Sequence, residues 1–545
     1  MGRAKKAPKG AASNDAVSQD AVDRAQAPES AAGRRLSPWR VIGAALVAAI
    51  VVSVGAVGFQ WWSARAAVDV QPWFASYVDV TATPRFAFEN LGGTSTKDAV
   101  LSFVVSSKGD ACEPTWGTAY TLDEARGSLD LDRRIARLQQ QGGTVAVSFG
   151  GQANSELAVG CTDAMALKNA YASVVDRYKI GTIDLDLEGS GLSDRDASAR
   201  RASAIAALQQ ERRAAGKSLA VWLTLPVAPT GMTSDGTDAI EAMLKAKVDI
   251  AGVNVMTMDF GGAKNAKTSM AKAAESAVSS AQRQLGVLYD RAKLHQSDPS
   301  LWAKLGATPM IGQNDVKEEV FSLADAASFN AWAVSNGLGR MSMWSANRDK
   351  SCGSNYVDLS VVSDACSGVA QGKKTFAGVL AKGFAGHIAL GEGAVTTAEP
   401  VSTAASADDP AHSPYPVWAT KNSYLKGAKV VWHHNVYLAK WWTKGDVPDN
   451  PVLNAWETPW DLVGPVLAGE TPIPQPTLPA GTYPTWSGTT PYDKGQRVLF
   501  DGVPFEAKWW TQGDSPEAAS ANPDSSPWNP LSQDELDQII GGTAR

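Results

Sequence analysis

The chain contains few of the residues that bind metal ions. Among its 545 residues there are only four cysteines and five histidines, and no cluster of them has the spacing of a zinc site. We therefore predict no metal site, and we predict no cofactor. Charged residues make up 19% of the chain and the formal net charge is -6, so nucleic acid is not expected as a partner. The length predicts about two to four domains.

One long hydrophobic run is present, near the N-terminus. Residues 41–59 carry no charge, and these nineteen residues would form a helix of about 28 Å, enough to span a membrane. Arginines precede the run, so residues 1–39 are predicted to be a disordered cytoplasmic tail. Two interpretations stay open: residues 40–62 form an uncleaved transmembrane signal-anchor, or they belong to a long signal peptide cleaved near Ala64-Arg65-Ala66. Both interpretations predict that the rest of the chain is extracellular, secreted or anchored to the membrane.

Residues 68–388 are predicted to form one α/β domain. Eight short apolar runs alternate there with helix-like segments, a pattern typical of a (β/α)8 TIM barrel. In such a barrel the active site lies at the C-terminal ends of the strands. The predicted strands are Trp73–Val80, Val100–Val105, Thr144–Gly150, Ile180–Glu188, Leu219–Leu225, Ile250–Met258, Thr308–Ile311 and Met341–Trp344. The predicted helices include Arg133–Gln141, Ala164–Arg177, Asp196–Ala215, Ala266–Leu285 and Lys373–Gly383.

The fourth predicted strand carries three carboxylates at a spacing of two residues. Because side chains alternate between the two faces of a strand, Asp184, Asp186 and Glu188 lie on one face. Neighbouring carboxylates on that face are about 6.5 Å apart and repel by about 2.5 kcal/mol, which would raise the pKa of a glutamic acid to about 6. We therefore predict that the charge of Asp186 keeps Glu188 protonated, so that Glu188 can act as a general acid.

The spacing Asp184-x-Asp186-x-Glu188 resembles the catalytic signature of glycoside hydrolase family 18, the chitinases. The family motif begins with a further Asp-Gly, where this chain has Gly181 and Thr182. The resemblance implies cleavage of β-1,4 bonds between N-acetylglucosamine units with retention of configuration. In the implied substrate-assisted mechanism, Glu188 protonates the glycosidic oxygen, Asp186 orients the acetamido group of the substrate, and Asp184 supports Asp186.

Other strand ends resemble the same family. Ser148-Phe149-Gly150-Gly151 is similar to its second signature, and Met256-Thr257-Met258-Asp259 is similar to its Met-x-Tyr-Asp motif. Met258 replaces the tyrosine that would bind the acetamido oxygen, so we take Gln313 and Asn254 as candidate replacements. The resemblance also implies that Trp344 forms the floor under the reacting sugar. The substrate-binding residues predicted in this way are Ser148, Gly150, Gly151, Asn254, Met256, Asp259, Gln313 and Trp344.

Two alternative functions stay open. The substitution at Met258 allows a barrel that binds chitin but has weak or no catalytic activity. The other alternative within family 18 is an endo-β-N-acetylglucosaminidase that acts on glycoprotein glycans or peptidoglycan.

The four cysteines allow three pairings, and export across a membrane favours disulfides. Cys352 and Cys366 would close a short loop. Cys112 and Cys161 follow the second and third predicted strands, which are neighbours in a barrel, so we predict that they form the other bond.

An internal repeat occupies the C-terminal part of the chain. Tyr415, Trp418, Ala439-Lys440-Trp441-Trp442-Thr443 and Trp460 recur 68 residues later. We call residues 415–465 the first copy and residues 483–532 the second copy. Residues 389–414 and the Pro-rich residues 466–482 are predicted to be linkers, the latter extended and semi-rigid.

Both copies resemble the small, β-rich chitin-binding modules of carbohydrate-binding families 5 and 12. The Ala-Lys-Trp-Trp-Thr-x-Gly signature carries the resemblance, which implies that aromatic rings stack on chitin. Because adjacent residues of a strand face opposite sides, we predict that Trp442 and Trp510 are exposed. The resemblance implies that an aromatic residue near the start of each module is exposed as well, here Tyr424 and Tyr492. The expected partners are chitin and chito-oligosaccharides, and the protein is expected to be a monomer.

Overall fold

The computed structural model describes residues 71–93, 96–354, 361–388, 407–452, 455–473, 478–479, 481–517 and 525–543. The predicted cytoplasmic tail and transmembrane segment lie outside these ranges. Within the ranges, the structure contains no helix with the length and apolar character needed to cross a membrane.

Eight parallel strands close into a barrel, which confirms the predicted fold. Each strand pairs with the next along the chain, and the last pairs with the first through Trp73 and Arg340. The strands are β1 (Trp73–Asp79), β2 (Asp98–Ser106), β3 (Val145–Gly150), β4 (Thr182–Asp186), β5 (Ala220–Ala228), β6 (Ile250–Met256), β7 (Leu305–Thr308) and β8 (Arg340–Met343). Short strands that lie outside the barrel wall are Pro114–Trp116, Tyr120–Thr121, Gly231–Met232, Gly312–Gln313 and Val320–Phe321.

The seventh strand begins and ends three residues earlier than predicted. It covers Leu305–Thr308, whereas the prediction was Thr308–Ile311. Pro309 explains the difference, because proline has no N–H to donate to the sheet and therefore ends the strand. The polar cluster that follows forms a hairpin in which Gly312 pairs with Phe321.

Helices surround the barrel. Several begin at side-chain caps, for example Asp163, which accepts a hydrogen bond from the Ala166 backbone N–H. The helices are α1 (Leu122–Ser128), α2 (Leu131–Gln140), α3 (Leu157–Gly160), α4 (Ala164–Tyr178), α5 (Gly189–Ser193), α6 (Arg195–Ala214), α7 (Ser234–Lys245), α8 (Met270–Arg291), α9 (Asp298–Ala303), α10 (Leu323–Asn336), α11 (Phe376–Leu380) and α12 (Gln533–Thr543). Single turns of 3-10 helix cover Phe88–Gly93, Gly261–Ala263, Ala346–Arg348 and Ala455–Glu457.

Strand β4 shows how the alternation of side chains divides the core. Ile183 and Leu185 point outward into the large apolar core between strands and helices. Asp184 and Asp186 point inward, and both are buried. The predicted alternation is therefore present, and it directs carboxylates into the centre of the barrel.

Both predicted disulfides are present. Cys112 is bonded to Cys161, and Cys352 is bonded to Cys366.

Each copy of the repeat folds into a pair of small antiparallel sheets. The first copy contains Ser423–Tyr424 paired with Thr443–Lys444, and a three-stranded sheet of Lys429–Trp432, Asn435–Ala439 and Trp460–Pro465. The second copy contains Pro491–Tyr492 paired with Thr511–Gln512, and a three-stranded sheet of Arg497–Phe500, Val503–Ala507 and Trp528–Pro530. The same topology in both confirms that they are structural repeats.

The structure differs from the prediction in part of the Pro-rich linker. Within residues 466–473, Glu470 is buried and forms an ion pair with Arg133 of α2, so this stretch is packed and not free.

Helix α12 was not predicted. Its start was readable from the sequence, because Ser532 and Glu535 form a capping box in which each side chain accepts a hydrogen bond from the other's backbone N–H.

Candidate active site

A cleft opens at the C-terminal ends of the barrel strands, where the fold predicts an active site. Its volume is about 350 Å³. Five of the predicted site residues line it, namely Asp186, Glu188, Met256, Asp259 and Trp344. The remaining lining residues are Tyr77, Phe103, Gln152, Thr224, Pro226, Val227, Met258, Thr308, Met310 and Asp315.

Asp184 lies beneath the cleft in a dense network of hydrogen bonds. Its Oδ2 accepts hydrogen bonds from the Tyr77 and Ser148 hydroxyl groups, both at 2.8 Å. Its Oδ1 accepts one from Thr224 at 2.7 Å and one from Arg340 Nη1 at 2.6 Å. A fully buried carboxylate with four donors is fixed in position, so Asp184 is a rigid support for Asp186, the next acid in the row.

Asp186 occupies the middle of the row and differs sharply from Asp184. It is buried, yet its Oδ1 has no hydrogen-bond partner among the described residues. Burial raises the pKa of Asp186 well above its usual range, and the charges of Glu188 and Asp184 raise it further. Asp186 therefore holds a proton readily, and one of its oxygens is available to a ligand in the cleft.

Glu188 follows the last paired residue of β4 in extended conformation and lies at the rim. Burial raises the pKa of Glu188, and the charges of Asp259 and Asp315 raise it further. The sequence argument expected Asp186 and Glu188 to repel each other, and this repulsion raises the pKa of Asp186.

The two glycines at the end of β3 are required by close contacts. A Cβ at Gly150, where φ is +107°, would lie 2.1 Å from the backbone oxygen of Asp186. A Cβ at Gly151 would lie 2.9 Å from the ring of Phe103. The backbone N–H of Gly151 donates to the Asp186 oxygen at 3.0 Å. The Gly-Gly pair thus lets β3 approach the carboxylate strand and keeps Phe103 in place.

The indole of Trp344 lines the cleft. Its ring stacks on Phe103 with centroids 5.4 Å apart and meets the edge of Tyr77 at 6.1 Å. An aromatic surface backed in this way is suited to packing against the apolar face of a sugar ring.

Neither candidate for the missing tyrosine reaches the cleft, so both predictions were wrong. Asn254 is fully buried, and its Nδ2 donates to Thr308 at 2.8 Å and Thr224 at 3.0 Å, within the barrel interior. Gln313 faces the loop at Ser367, to which its backbone N–H donates at 2.9 Å. The side-chain amide that lines the cleft belongs to Gln152, which is exposed.

Sequence reasoning missed Tyr77 and Arg340. The guanidinium carbon of Arg340 lies 5.0 Å from the ring centre of Trp73 and 5.3 Å from that of Trp222. A lone arginine at the start of an apolar strand was the available signal, because a buried arginine needs an anionic partner.

The aromatic residues predicted for the repeat are only partly exposed. Tyr424 and Tyr492 are buried, which contradicts the prediction, because each ring packs edge-on against Trp460 or Trp528. Trp510 is 59% exposed, whereas Trp442 is half-buried. The alternation argument failed because the Trp-Trp pair lies in a bend and not in a strand.

Comparisons with known proteins agree with this geometry. The chain is 33% identical over 353 residues to "Probable bifunctional chitinase/lysozyme" of Escherichia coli (strain K12), covering 62% of this chain and 36% of that protein. It is 35% identical over 283 residues to "Endochitinase 11" of Metarhizium anisopliae, covering 51% of this chain and 52% of that protein. The chain thus spans about a third and about half of these relatives.

A solved structure and a family assignment complete the comparison. The catalytic domain of the hyperthermophilic chitinase from Pyrococcus furiosus is 27% identical, with a TM-score of 0.48, covering 58% of this chain and 96% of that one. Residues 485–529, in the second copy, match carbohydrate-binding module family 5/12. The chain therefore has chitinase homologues and consists of a (β/α)8 barrel followed by β-rich modules, the second of which matches this carbohydrate-binding family.

Proposed function

We propose that the protein is a chitinase that hydrolyses β-1,4 bonds between N-acetylglucosamine units by a retaining, substrate-assisted mechanism. The observation that carries the proposal is the state of Asp186. It is a buried acid with a raised pKa and an unpartnered oxygen, and it lies in the cleft between fixed Asp184 and rim-exposed Glu188.

Glu188 is the general acid in this proposal. Its raised pKa keeps the carboxyl group protonated in weakly acidic solution, so it can donate a proton to the glycosidic oxygen. The bond between the anomeric carbon and that oxygen then breaks. After the acetamido oxygen has bonded to the anomeric carbon, the ionised Glu188 takes a proton from a water molecule, whose oxygen attacks that carbon and displaces the acetamido oxygen.

The acetamido group of the substrate is the nucleophile. Its oxygen attacks the anomeric carbon, and Asp186 Oδ1 accepts a hydrogen bond from the acetamido N–H, which orients the group. Trp344 supports the sugar ring from below. Gln152 is the proposed donor to the acetamido region in place of the tyrosine that Met258 replaces.

Glu188→Gln tests the assignment of the acid. General acid catalysis contributes about 10² to 10⁴ in rate, so this variant should lose at least about a hundredfold in kcat on chito-oligosaccharides. The matched control is Glu318→Gln, an exposed glutamate on the hairpin beside the cleft, which should keep wild-type kcat. Wild-type turnover by Glu188→Gln would refute the assignment.

Substrate assistance has its own test. NMR of the first products should show the β-anomer, and oligosaccharides of glucosamine without the acetyl group should not be cleaved. Cleavage of the deacetylated substrate at a similar rate would exclude this mechanism.

A second candidate is a barrel that binds chitin with little turnover. The thioethers of Met256, Met258 and Met310 favour it, because they line the cleft where a hydroxyl donor is expected. Release of soluble sugars from colloidal chitin by the purified protein separates the two.

We further propose that the protein works outside the cell, where the two disulfides are stable.

A further inference from the structure

The two copies of the repeat carry the same Ala-Lys-Trp-Trp-Thr sequence but present it differently. In the second copy Trp509 is 45% exposed and Trp510 is 59% exposed. In the first copy Trp441 is 43% exposed, close to its counterpart Trp509. Trp442, the counterpart of Trp510, is half-buried, and its Nε1 is excluded from solvent without a hydrogen-bond partner among the described residues.

The second copy itself covers Trp442. The Trp442 ring packs against the apolar core of the second copy, a cluster that includes Val503 and Phe505. Leu425 of the first copy is buried in that same cluster. A polar cavity of about 330 Å³ beside Trp442 is walled by both copies, with Lys444 of the first copy 3.9 Å from Asp501 of the second.

Helix α12 holds the two copies together. The backbone N–H of Gln533, at its start, donates to the Lys426 oxygen of the first copy at 2.8 Å. Leu536, on the same helix, is buried in the core of the second copy. Helix α12, which follows the repeat in the sequence, therefore contacts both copies.

The first copy is also docked on the barrel. Arg133 of α2 forms a two-point ion pair with Glu470, which lies in the stretch just after the first copy, with N–O distances of 2.6 and 3.1 Å, and both side chains are buried. Arg133 also donates to the Pro465 oxygen, and Lys429 of the first copy is paired with Asp130 of the barrel. Buried, bidentate pairs of this kind hold two surfaces in one orientation.

We propose that the two copies have different functions. The first copy is a rigid coupler between the barrel and the second copy, and the second copy alone binds the insoluble polysaccharide, through Trp509 and Trp510. This inference rests on the proposed chitinase function. It replaces the expectation of two equivalent chitin-binding sites joined by an extended, semi-rigid linker, because one of the two equivalent rings is used for packing between the copies.

A matched pair of variants tests the division of function. The full chain carrying Glu188→Gln is sedimented with chitin powder, alone and with either Trp442→Leu or Trp510→Leu. Leucine keeps apolar packing but removes the ring. Trp510→Leu should weaken binding by about tenfold, the loss of one stacked ring, and Trp442→Leu by less than about twofold. Equal losses from the two variants would overturn the inference.

The coupler is tested separately with Glu470→Ala in the otherwise unchanged chain. Binding to chitin powder and hydrolysis of soluble chito-oligosaccharides should stay at wild-type level. Hydrolysis of chitin powder should fall severalfold, because the second copy no longer has a fixed orientation relative to the cleft. Unchanged hydrolysis of the powder would overturn the coupling role.

The outcomes separate this inference from the function on which it rests. If the wild-type chain releases no sugar from chitin and its Glu188→Gln variant does not sediment with it, the proposed function fails. If the wild-type chain releases sugar and its Glu188→Gln variant sediments with chitin, but Trp442→Leu and Trp510→Leu weaken binding equally, only the division of function fails.

Discussion

Arg340 and Asp184 form an ion pair at the centre of the barrel. Arg340 Nη1 lies 2.6 Å from Asp184 Oδ1, and both side chains are only 1% exposed. The guanidinium also donates from Nη2 to the Tyr77 hydroxyl at 3.0 Å. A positive charge thereby balances the buried carboxylate at the inner end of the row of Asp184, Asp186 and Glu188.

Removing this cation should destabilise the protein. Arg340→Met leaves the Asp184 carboxylate buried without its counter-charge, which costs about 3–5 kcal/mol in the free energy of unfolding. Urea denaturation followed by tryptophan fluorescence measures the loss.

The control for this change is Arg195→Met. Arg195 forms an ion pair with Asp238 in which both side chains are exposed, so its removal should cost no more than about 1 kcal/mol. Similar losses from the two variants would show that the buried ion pair contributes no more to the free energy of unfolding than the exposed one.

The acids facing Glu188 should set the pH range of activity. The charge of Asp259 raises the pKa of Glu188, so Asp259→Asn should lower that pKa and move the alkaline limb of kcat/KM to lower pH. Asparagine retains the oxygen that accepts from the Val316 backbone N–H, so the loop should keep its shape. The profile of Glu318→Gln serves as reference, and an unmoved alkaline limb would contradict the assignment.

Asp186 should make stability depend on pH in the direction opposite to most carboxylates. Its folded pKa is raised, so between the unfolded value of 3.8 and the folded value the native state binds more protons than the unfolded state. The free energy of unfolding therefore falls as pH rises through that window.

Asp186→Asn removes this dependence. The variant should be more stable than the wild type at pH values above the window, and the difference should shrink towards zero near pH 4. Thermal unfolding measured across this range tests the prediction. A variant less stable than the wild type at neutral pH would show that Asp186 is ionised and stabilised in the fold.

Gly150→Ala should be poorly tolerated. The new Cβ would meet the Asp186 backbone oxygen at 2.1 Å, so either β3 or β4 must move, and we expect a loss of about 3 kcal/mol or more.

Gly142→Ala is the matched control. Its φ is also positive, at +78°, but a Cβ there would have no neighbour within 4 Å, so only backbone strain of about 1–2 kcal/mol is expected. Equal effects on unfolding temperature would mean that conformation alone requires glycine at position 150.

Local patterns predicted the barrel and the row of carboxylates because both depend on short-range periodicity. A spacing of two residues was sufficient to put Asp184 and Asp186 on the inner face of β4. The partners of Asp184 could not be read in this way. Tyr77 lies 107 residues before it and Arg340 lies 156 residues after it, and only the closure of the barrel brings them together.

The exposure of the tryptophans in the two copies could not be predicted from the sequence either. Trp442 and Trp510 have the same five-residue context, yet one is covered by the neighbouring copy and the other is open. Packing between copies decides their exposure, and no local sequence pattern encodes it. The pKa of Glu188 could not be predicted from local sequence either, because the charges that raise it belong to Asp259 and Asp315, which follow other strands.

Bulky aliphatic layers fill most barrels of this kind, whereas this one has an ionic centre linking β1, β3, β4, β5 and β8. The groups that hold Asp184 in place are thus also groups on which the integrity of the fold depends. Attempts to retune substrate preference should spare that inner set and concentrate on the solvent-facing margin, at Gln152 and Asp315, where a change in side chain does not threaten assembly of the barrel.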